Sequence, residues 1–93
     1  MKKHNYNKQV ADKIDIAIGD VIRQELKKSG HTVVWFAKAL RCSRTNVYKI
    51  FKKTSIETDE LFVICEILEY DFFKLYSKEL HKITKNKILK QDI

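Results

Sequence analysis

Residues 31–53 read HTVVWFAKALRCSRTNVYKIFKK, and the stretch combines two short helical patterns with an unbroken run of positive charge. Apolar residues recur at three- and four-residue spacing on both sides of residues 41–43, which are too few for anything but a tight turn. The stretch contains six Lys or Arg residues and no Asp or Glu. Two helices this short do not form a core by themselves, so we expect the rest of the chain to supply helices behind them.

The composition fits one helical domain. The chain has 93 residues, 44% of them hydrophobic and 11% aromatic, which is enough for a modest core. It has no Pro and only two Gly, which favours helices with short connections over a loop-rich β protein. The sequence therefore predicts an all-α domain over residues 12–80 and a basic C-terminal tail over 81–93. Residues 1–11 are expected to be a flexible basic arm, which could lie on DNA or equally be a frayed end.

The net charge of +7 is unevenly spread along the chain. Residues 31–53 carry only positive charges, whereas residues 54–80 hold seven acidic and two basic residues. A basic block suits a polyanion such as nucleic acid or a membrane surface, although an idle solvated surface is the simpler interpretation. No signal peptide or membrane-spanning run occurs, and the two cysteines form no disulfide or zinc pattern, so a cytoplasmic protein is expected.

Helical periodicity and capping residues predict five helices. The first is expected over about residues 12–29, ending at Gly30, with an apolar stripe of Ile14, Ile18, Val21, Ile22 and Leu26. Gly19 lies within it and could permit close packing. Thr32 is expected to cap a second helix over about 33–40, and Ser43 a third over about 44–53.

The last two helices follow an acidic segment. Thr58 is expected to cap a fourth helix over about 59–69, and Asp71 a fifth over about 72–80. The fourth has an inner face that either Ile67 or Phe62 widens, and its members are Leu61, Ile64, Cys65 and Leu68. Residues 81–93 could extend the fifth helix, contact a partner or remain disordered.

Residues 31–53 resemble the helix-turn-helix of the Cro and phage-repressor type, the XRE-like family. That family has a small residue, usually Ala, in the first motif helix and Val or Ile ten and thirteen residues later, and Ala37, Val47 and Ile50 meet this pattern. The small residue lets the two helices cross closely, and the two apolar residues hold the second helix on the body. The resemblance covers about residues 14–80. It implies a compact five-helix bundle of the lambda-repressor-like DNA-binding type, with helices 2 and 3 as the helix-turn-helix and a motif core of Ala37, Leu40, Val47 and Ile50.

Three positions depart from the family pattern. Arg41 stands where the family usually has Gly, because the backbone there tends to be left-handed; either strain of about 1 kcal/mol or a shifted turn would follow. Val33 stands where the family often has a Gln that touches the phosphate backbone, and Trp35 where it often has an acidic or polar residue. Trp35 and Phe36 do not both fit the inner face easily beside Ala37 and Leu40, so one of the two aromatics is expected to be partly exposed or to lie in an interface.

The resemblance implies sequence-specific binding of double-stranded DNA by the third helix, in a small transcriptional regulator, a repressor, that acts as a homodimer. By motif position, the candidates for base edges are Arg44, Thr45 and Lys49. Arg and Lys suit guanine O6 and N7, and the Thr methyl suits a thymine methyl. The candidates for backbone contacts, each of which could instead be an idle surface group, are Ser43, Asn46, Tyr48, Lys52, Lys53 and Lys38.

The alternative function is a protein-interaction adaptor or an antitoxin-type protein that keeps the fold and binds a toxin or co-regulator, with the acidic residues 54–80 facing a basic partner. RNA binding is less favoured, since no exposed stacking platform is evident. An enzyme is not expected, because His4, His31 and His81 are far apart and no phosphate loop, HExxH or CxxC motif occurs. The sequence therefore predicts no catalytic residue, no metal, no cofactor and no membrane association.

Overall fold

Five α-helices make up the part of the chain that the computed structural model describes, residues 14–91, with side chains described up to residue 85. In chain order they are α1 Ile18–Ser29, α2 Val33–Leu40, α3 Arg44–Phe51, α4 Thr58–Leu68 and α5 Phe73–Gln91. No strand occurs among these residues. Within the described residues, the prediction of an all-α fold with five helices is confirmed.

The core lies between α1, α2, α3 and α4, with α1 and α2 each packing on both α3 and α4. Of the stripe predicted for α1, Ile18, Ile22 and Leu26 are buried at four-residue spacing and Val21 is half-buried. The other buried apolar side chains are Phe36, Ala37, Val47, Ile50, Leu61, Ile64 and Phe72. No polar or charged side chain is buried within the described residues, so burial of apolar surface holds the helices together.

Gly19 brings the start of α1 against the end of α3. Its amide donates to the carbonyl oxygen of Lys53 at 3.0 Å. A Cβ on residue 19 would lie 2.6 Å from the carbonyl carbon and oxygen of Phe51 and closer still to the oxygen of Ile50. Real Cβ atoms do not approach backbone atoms this closely, so the two helices pack at this distance only because residue 19 is glycine. The close packing considered for Gly19 is confirmed.

Both α2 and α4 end at a non-glycine residue in the left-handed conformation. Arg41 has φ 59° and ψ 45°, and its amide donates to Lys38 O while the Cys42 amide donates to Ala37 O. Glu69, with φ 52°, closes α4 with the same pair of backbone bonds. This Schellman arrangement normally uses Gly. Arg41 therefore keeps the left-handed turn instead of shifting its geometry.

α1 starts later and α3 ends earlier than predicted, and the Gly19 contact explains both differences. Residues 14–17 are not helical, and Ile14 is 42% exposed instead of lying on the buried stripe. The helix starts at Ile18 because the Gly19 amide bonds to Lys53 in another segment of the chain. α3 ends at Phe51, short of the predicted residue 53, since Lys52 caps it and Lys53 turns away to meet Gly19. Residues 12 and 13 of the predicted helix lie outside the described part of the chain.

The ends of α4 and α5 also differ from the prediction. Thr58 is the first residue of α4 and not its cap: Glu57 holds the cap position without a side-chain bond, and the Asp59 carboxylate accepts from the Glu60 amide at 2.8 Å. Phe72 is buried just ahead of α5, which starts at Phe73 and continues through residue 91. Of the three possibilities for residues 81–93, the structure thus has helix up to Gln91. The proposed division into arm, domain and tail stays a prediction, and the arm lies outside the described residues.

Candidate nucleic-acid interface

α2, the turn at residues 41–43 and α3 form two consecutive capped helices. The Thr32 hydroxyl accepts from the Trp35 amide at 3.0 Å, and the Ser43 hydroxyl accepts from the Asn46 amide at 3.1 Å. Both predicted caps are therefore present, and each satisfies an amide that the first turn of a helix leaves without a backbone partner. The second cap fixes where α3 begins, shortly after the left-handed Arg41.

The inner sides of both helices carry the four residues predicted as the motif core. Val47 is fully buried, Ile50 is 1% exposed and Ala37 is 5% exposed. Leu40 is half-buried and packs against the core from the end of α2. Phe36 is fully buried while Trp35 is half-buried, so the expectation that one of these two aromatics would be partly exposed is met.

The three residues predicted to reach base edges lie together on the outer side of α3. Arg44, Thr45 and Lys49 are all exposed. Arg44 and Lys49 are five residues apart on a continuous helix, which corresponds to a rise of about 7.5 Å. The whole helix has eight residues and is thus about 12 Å long, which is about the width of the major groove of B-DNA. Side chains along a helix of this length can face two or three consecutive base pairs.

Polar and basic side chains flank these three. Asn46, Lys52 and Lys38 are exposed. Tyr48 is 53% exposed, and its ring meets the ring of Phe51 edge-on with centroids 6.0 Å apart. That contact orients the ring while its hydroxyl remains a donor at the surface. The Ser43 oxygen is used as a helix cap, which leaves its O–H group free to donate outward.

One candidate cation already has a carboxylate partner. The Lys53 ammonium lies 3.8 Å from a Glu60 carboxylate oxygen, and both side chains are partly exposed. Among the described residues, no carboxylate lies within ion-pair distance of Arg44, Lys49, Lys52 or Lys38. The outer side of α3 and its flanking residues thus form a basic surface. Among the candidate cations, only Lys53 has its charge offset by a carboxylate of α4.

The start of α2 carries a feature that the sequence interpretation missed. The imidazole of His31 stacks on the indole of Trp35 with ring centroids 3.6 Å apart and planes 7° from parallel. His31 precedes the Thr32 cap and lies outside the helical residues of α2, so helical spacing did not indicate this contact. Val33, at the position where a phosphate-binding Gln was expected, is half-buried and packs against the core. At this end of the motif the exposed polar side chains are those of His31 and Thr32.

The described residues show no features of a metal site or of a membrane span. They contain no group of three or more His, Cys, Asp or Glu side chains placed to hold a metal ion. Cys42 and Cys65 are both half-buried free thiols, and the Cys65 sulfur accepts from the Phe72 amide at 3.3 Å. None of the described helices combines the length and the apolarity needed to cross a membrane.

Comparison of the chain with protein-family models, with curated proteins and with solved structures finds no match. The likeness to the Cro and phage-repressor type therefore stays a prediction carried by the motif residues.

Proposed function

We propose that the protein binds double-stranded DNA through α2 and α3, with α3 in the major groove, and that it regulates transcription as a small repressor of the Cro and phage-repressor type. The five helices would then be a lambda-repressor-like bundle, with α2 and α3 as its helix-turn-helix. In this arrangement the amino end of α3 faces base edges, and the start of α2 crosses the backbone.

The two-sidedness of α3 is the observation that carries the proposal. Burial of Val47 and Ile50 fixes the helix to the core. Arg44, Thr45 and Lys49 are exposed and do not contribute to the core. An Asp or Glu in the first turn of a helix interacts favourably with the helix dipole, by about 0.3–1 kcal/mol. α3, like α2, has no acidic residue there. A carboxylate at that end would repel DNA phosphates, so the absence of one is consistent with a surface that meets DNA.

Specific roles follow from the chemistry of each side chain. The planar Arg44 guanidinium suits the O6 and N7 atoms of guanine, which is worth about 1–3 kcal/mol of discrimination against other bases. Lys49 suits the same acceptors further along the helix, and the Thr45 methyl suits thymine. The side chains that would hold phosphates are Lys52, Lys38, Asn46, Tyr48 and Ser43, and such contacts position the protein without reading sequence.

Action as a homodimer is part of the proposal. Eight residues of helix read only a few base pairs, and two copies on half-sites about 34 Å apart would double that number. The operator would then be close to a palindrome, because the two-fold symmetry of the protein is mirrored in the DNA.

Selection from random duplex DNA tests the proposal. The full chain is incubated with a pool of random sequences at several salt concentrations, bound duplexes are sequenced, and Arg44→Ala and Lys49→Ala are treated in parallel. We expect an enriched, near-palindromic site whose affinity falls steeply with salt, since each neutralised phosphate contributes about −0.9 to the slope of log K against log salt.

A matched control comes from a helix outside the proposed interface. Lys74→Ala removes an exposed lysine from the start of α5 and should change neither the site nor its affinity. Circular dichroism confirms that every variant is folded. No enriched sequence, or the same site and affinity for Arg44→Ala as for the wild-type chain, would remove the support for sequence-specific binding.

A further inference from the structure

His31 is exposed, yet both its backbone and its side chain are held in place. Its amide donates to the Ser29 hydroxyl oxygen at 3.2 Å, and that hydroxyl donates in turn to the Leu26 carbonyl oxygen at 2.6 Å. Its imidazole stacks on the indole of Trp35, and Trp35 packs against the core. The stack therefore ties an exposed ring to the body of the protein, so little conformational freedom is lost when the ring binds a ligand.

The ring nitrogens of His31 form no hydrogen bond and no ion pair with the described residues. A neutral imidazole has one N–H donor and one acceptor, whereas the imidazolium has two donors and a positive charge. Hydrogen bonds from a charged donor to an anion are about twice as strong as neutral ones. The charged ring is thus the form of His31 that suits an anionic ligand.

No carboxylate of the surrounding helices pairs with this imidazole. α2 and α3 contain none. The acidic residues of α1 and α4 are Asp20, Glu25, Asp59, Glu60 and Glu66. None of them lies within 4.0 Å of a His31 ring nitrogen. The cations of α1, α2 and α3 are Arg23, Lys27, Lys28, Lys38, Arg44 and Lys49. Within the described residues, an anion is therefore the partner that a charged imidazole at this position lacks.

The place of His31 in the motif indicates a DNA phosphate as that anion. It lies directly ahead of Thr32, the cap of α2, and the first motif helix crosses the DNA backbone in helix-turn-helix complexes. The first turn of α2 holds no acidic residue that would repel a phosphate. Val33, the first residue of α2, is half-buried against the core and does not occupy this place.

We propose that His31 binds a phosphate of the DNA backbone as an imidazolium, so that DNA binding by this protein takes up a proton. Trp35 is the positioning residue, because its indole holds the imidazole in one orientation. The inference rests on the proposed function, in which the start of α2 lies on the DNA backbone. It adds a pH dependence that base reading by Arg44 and Lys49 does not supply, since both keep their charge at neutral and mildly acidic pH.

The sign and the size of the effect follow from linkage. Because the DNA-bound state holds the additional proton, affinity for DNA rises as the pH falls through the range near about pH 6.5 in which His side chains titrate. One proton per protomer changes the affinity of that protomer by at most about tenfold per pH unit. The same linkage requires that DNA make the imidazole harder to deprotonate, because a nearby negative charge favours the charged form.

Tryptophan emission tests the proposal at the side chain itself. Trp35 is the only tryptophan of the chain, and a charged imidazole quenches the emission of an indole on which it stacks. The full chain is titrated between about pH 5 and pH 8.5, first alone, then with a saturating mixed-sequence duplex, and then with inorganic phosphate at the same phosphate concentration. His31→Gln, which cannot take up the proton, supplies the baseline.

We expect the titration midpoint to lie about one pH unit higher with the duplex than without it. Inorganic phosphate should leave the midpoint unchanged, because nothing else holds it beside His31. No midpoint in the wild type that His31→Gln removes, the same midpoint with and without the duplex, or an equal shift with inorganic phosphate would each overturn a contact between His31 and the DNA backbone.

The affinity for the same duplex gives a second measurement. We expect the wild-type chain to bind at least about fivefold more tightly at about pH 5.5 than at about pH 8, and His31→Gln to lose this difference. Trp35→Leu should reduce the difference, whereas Trp35→Phe, which keeps an aromatic ring, should retain most of it. His81→Gln is the matched control, since it removes another exposed histidine, on α5, and should keep the full difference. Circular dichroism checks that each variant is folded.

The outcomes separate this inference from the proposed function. The duplex needs no particular sequence, because phosphate contacts do not read bases. A wild-type chain that selects an operator with the same affinity at both pH values would overturn the role of His31 alone, as would a pH dependence that persists in His31→Gln. Proton-linked binding without any sequence preference would support His31 and overturn base reading by α3. No binding to any duplex would overturn both.

Discussion

Replacement of Gly19 by Ala tests the contact that sets α3 against the body of the protein. The added Cβ would lie 2.6 Å from the carbonyl carbon and oxygen of Phe51 and still closer to Ile50 O. These are backbone atoms at the end of α3, so no side chain can rotate away to make room. Either the start of α1 or the end of α3 must move, and the bond from the Gly19 amide to Lys53 O, 3.0 Å long, lies at the same place.

The cost can be bounded from opposing terms. Overpacking of a close contact costs about 1–3 kcal/mol, and backbone atoms on both sides put this case at the upper end. Ala gains at most about 1 kcal/mol over Gly as a helix former. We therefore expect a net loss of about 2 kcal/mol in the free energy of unfolding, which lowers Tm by about 8–16 °C in a chain of this size. Total stabilities of about 5–15 kcal/mol leave such a variant folded.

Urea unfolding followed by circular dichroism measures this loss. Gly30→Ala is the matched control: residue 30 has φ 83°, and no heavy atom lies within 4 Å of the place that a Cβ would take, so it reports left-handed strain of about 1–2 kcal/mol without a steric contact. Gly30→Asn, which tolerates that conformation better, should lose less than Gly30→Ala. A Gly19→Ala variant as stable as the wild type, or more stable, would refute the close contact.

Three further outcomes follow from the described geometry. Arg41→Gly should stabilise the protein by about 0.5–1 kcal/mol, because relief of left-handed strain exceeds the cost of the added conformational entropy of the unfolded chain. Glu69→Gly should do the same at the end of α4. A loss of stability in both variants would contradict the assigned conformations. Lys52→Ala should reduce the salt slope of DNA binding by about 1, whereas Lys53→Ala should reduce it by less because that ammonium already has a carboxylate partner; equal slopes for both variants and the wild type would exclude phosphate contacts. Burial raises the pKa of Tyr76 above its ordinary value of 10.0, so the unfolded chain loses this proton first. The resulting stability is complete well below pH 10.0 and is lost as the pH rises through the folded pKa. Tyr76→Phe should therefore lose less stability than the wild type as the pH is raised above 10.0 in urea titrations; an equal loss would show that this phenol is not the cause.

Local signals in the sequence were sufficient for much of the fold. The bounds of α2 follow from the Thr32 cap and from the turn predicted at residues 41–43, and the structure has both. Four-residue spacing is sufficient to predict the buried stripe of α1, although the predicted start of the helix was wrong. The start itself depends on Lys53, distant in sequence, and no local pattern contains that information.

α4 shows why a helix face can be ambiguous. Apolar residues occupy most of the circumference of this helix. Because successive residues are 100° apart, either Ile67 or Phe62 could widen the buried stripe. The structure packs Ile67 against the core and leaves Phe62 outside. Only packing against α1 and α2 decides between them.

For the candidate interface, the sequence indicated which side chains of α3 point outward, and the described positions agree at Arg44, Thr45 and Lys49. It did not indicate the ion pair of Lys53 with Glu60, because those residues come from different elements. The stacking of His31 on Trp35 depends on side-chain rotamers, and four-residue spacing alone permits it without requiring it. The DNA-binding role of these residues stays a prediction.

The affinity of the Arg44→Ala variant for the selected operator tests the central claim most directly. It is measured beside the wild-type chain on the operator and on duplexes with each base pair replaced in turn, at one fixed salt concentration. If Arg44 reads a base, the variant should lose about 5- to 150-fold in affinity for the operator, the equivalent of about 1–3 kcal/mol, together with relaxed preference at a single base pair. Equal affinity of the two proteins for the operator, or a loss that is uniform over all sequences, would contradict a base-reading role for α3.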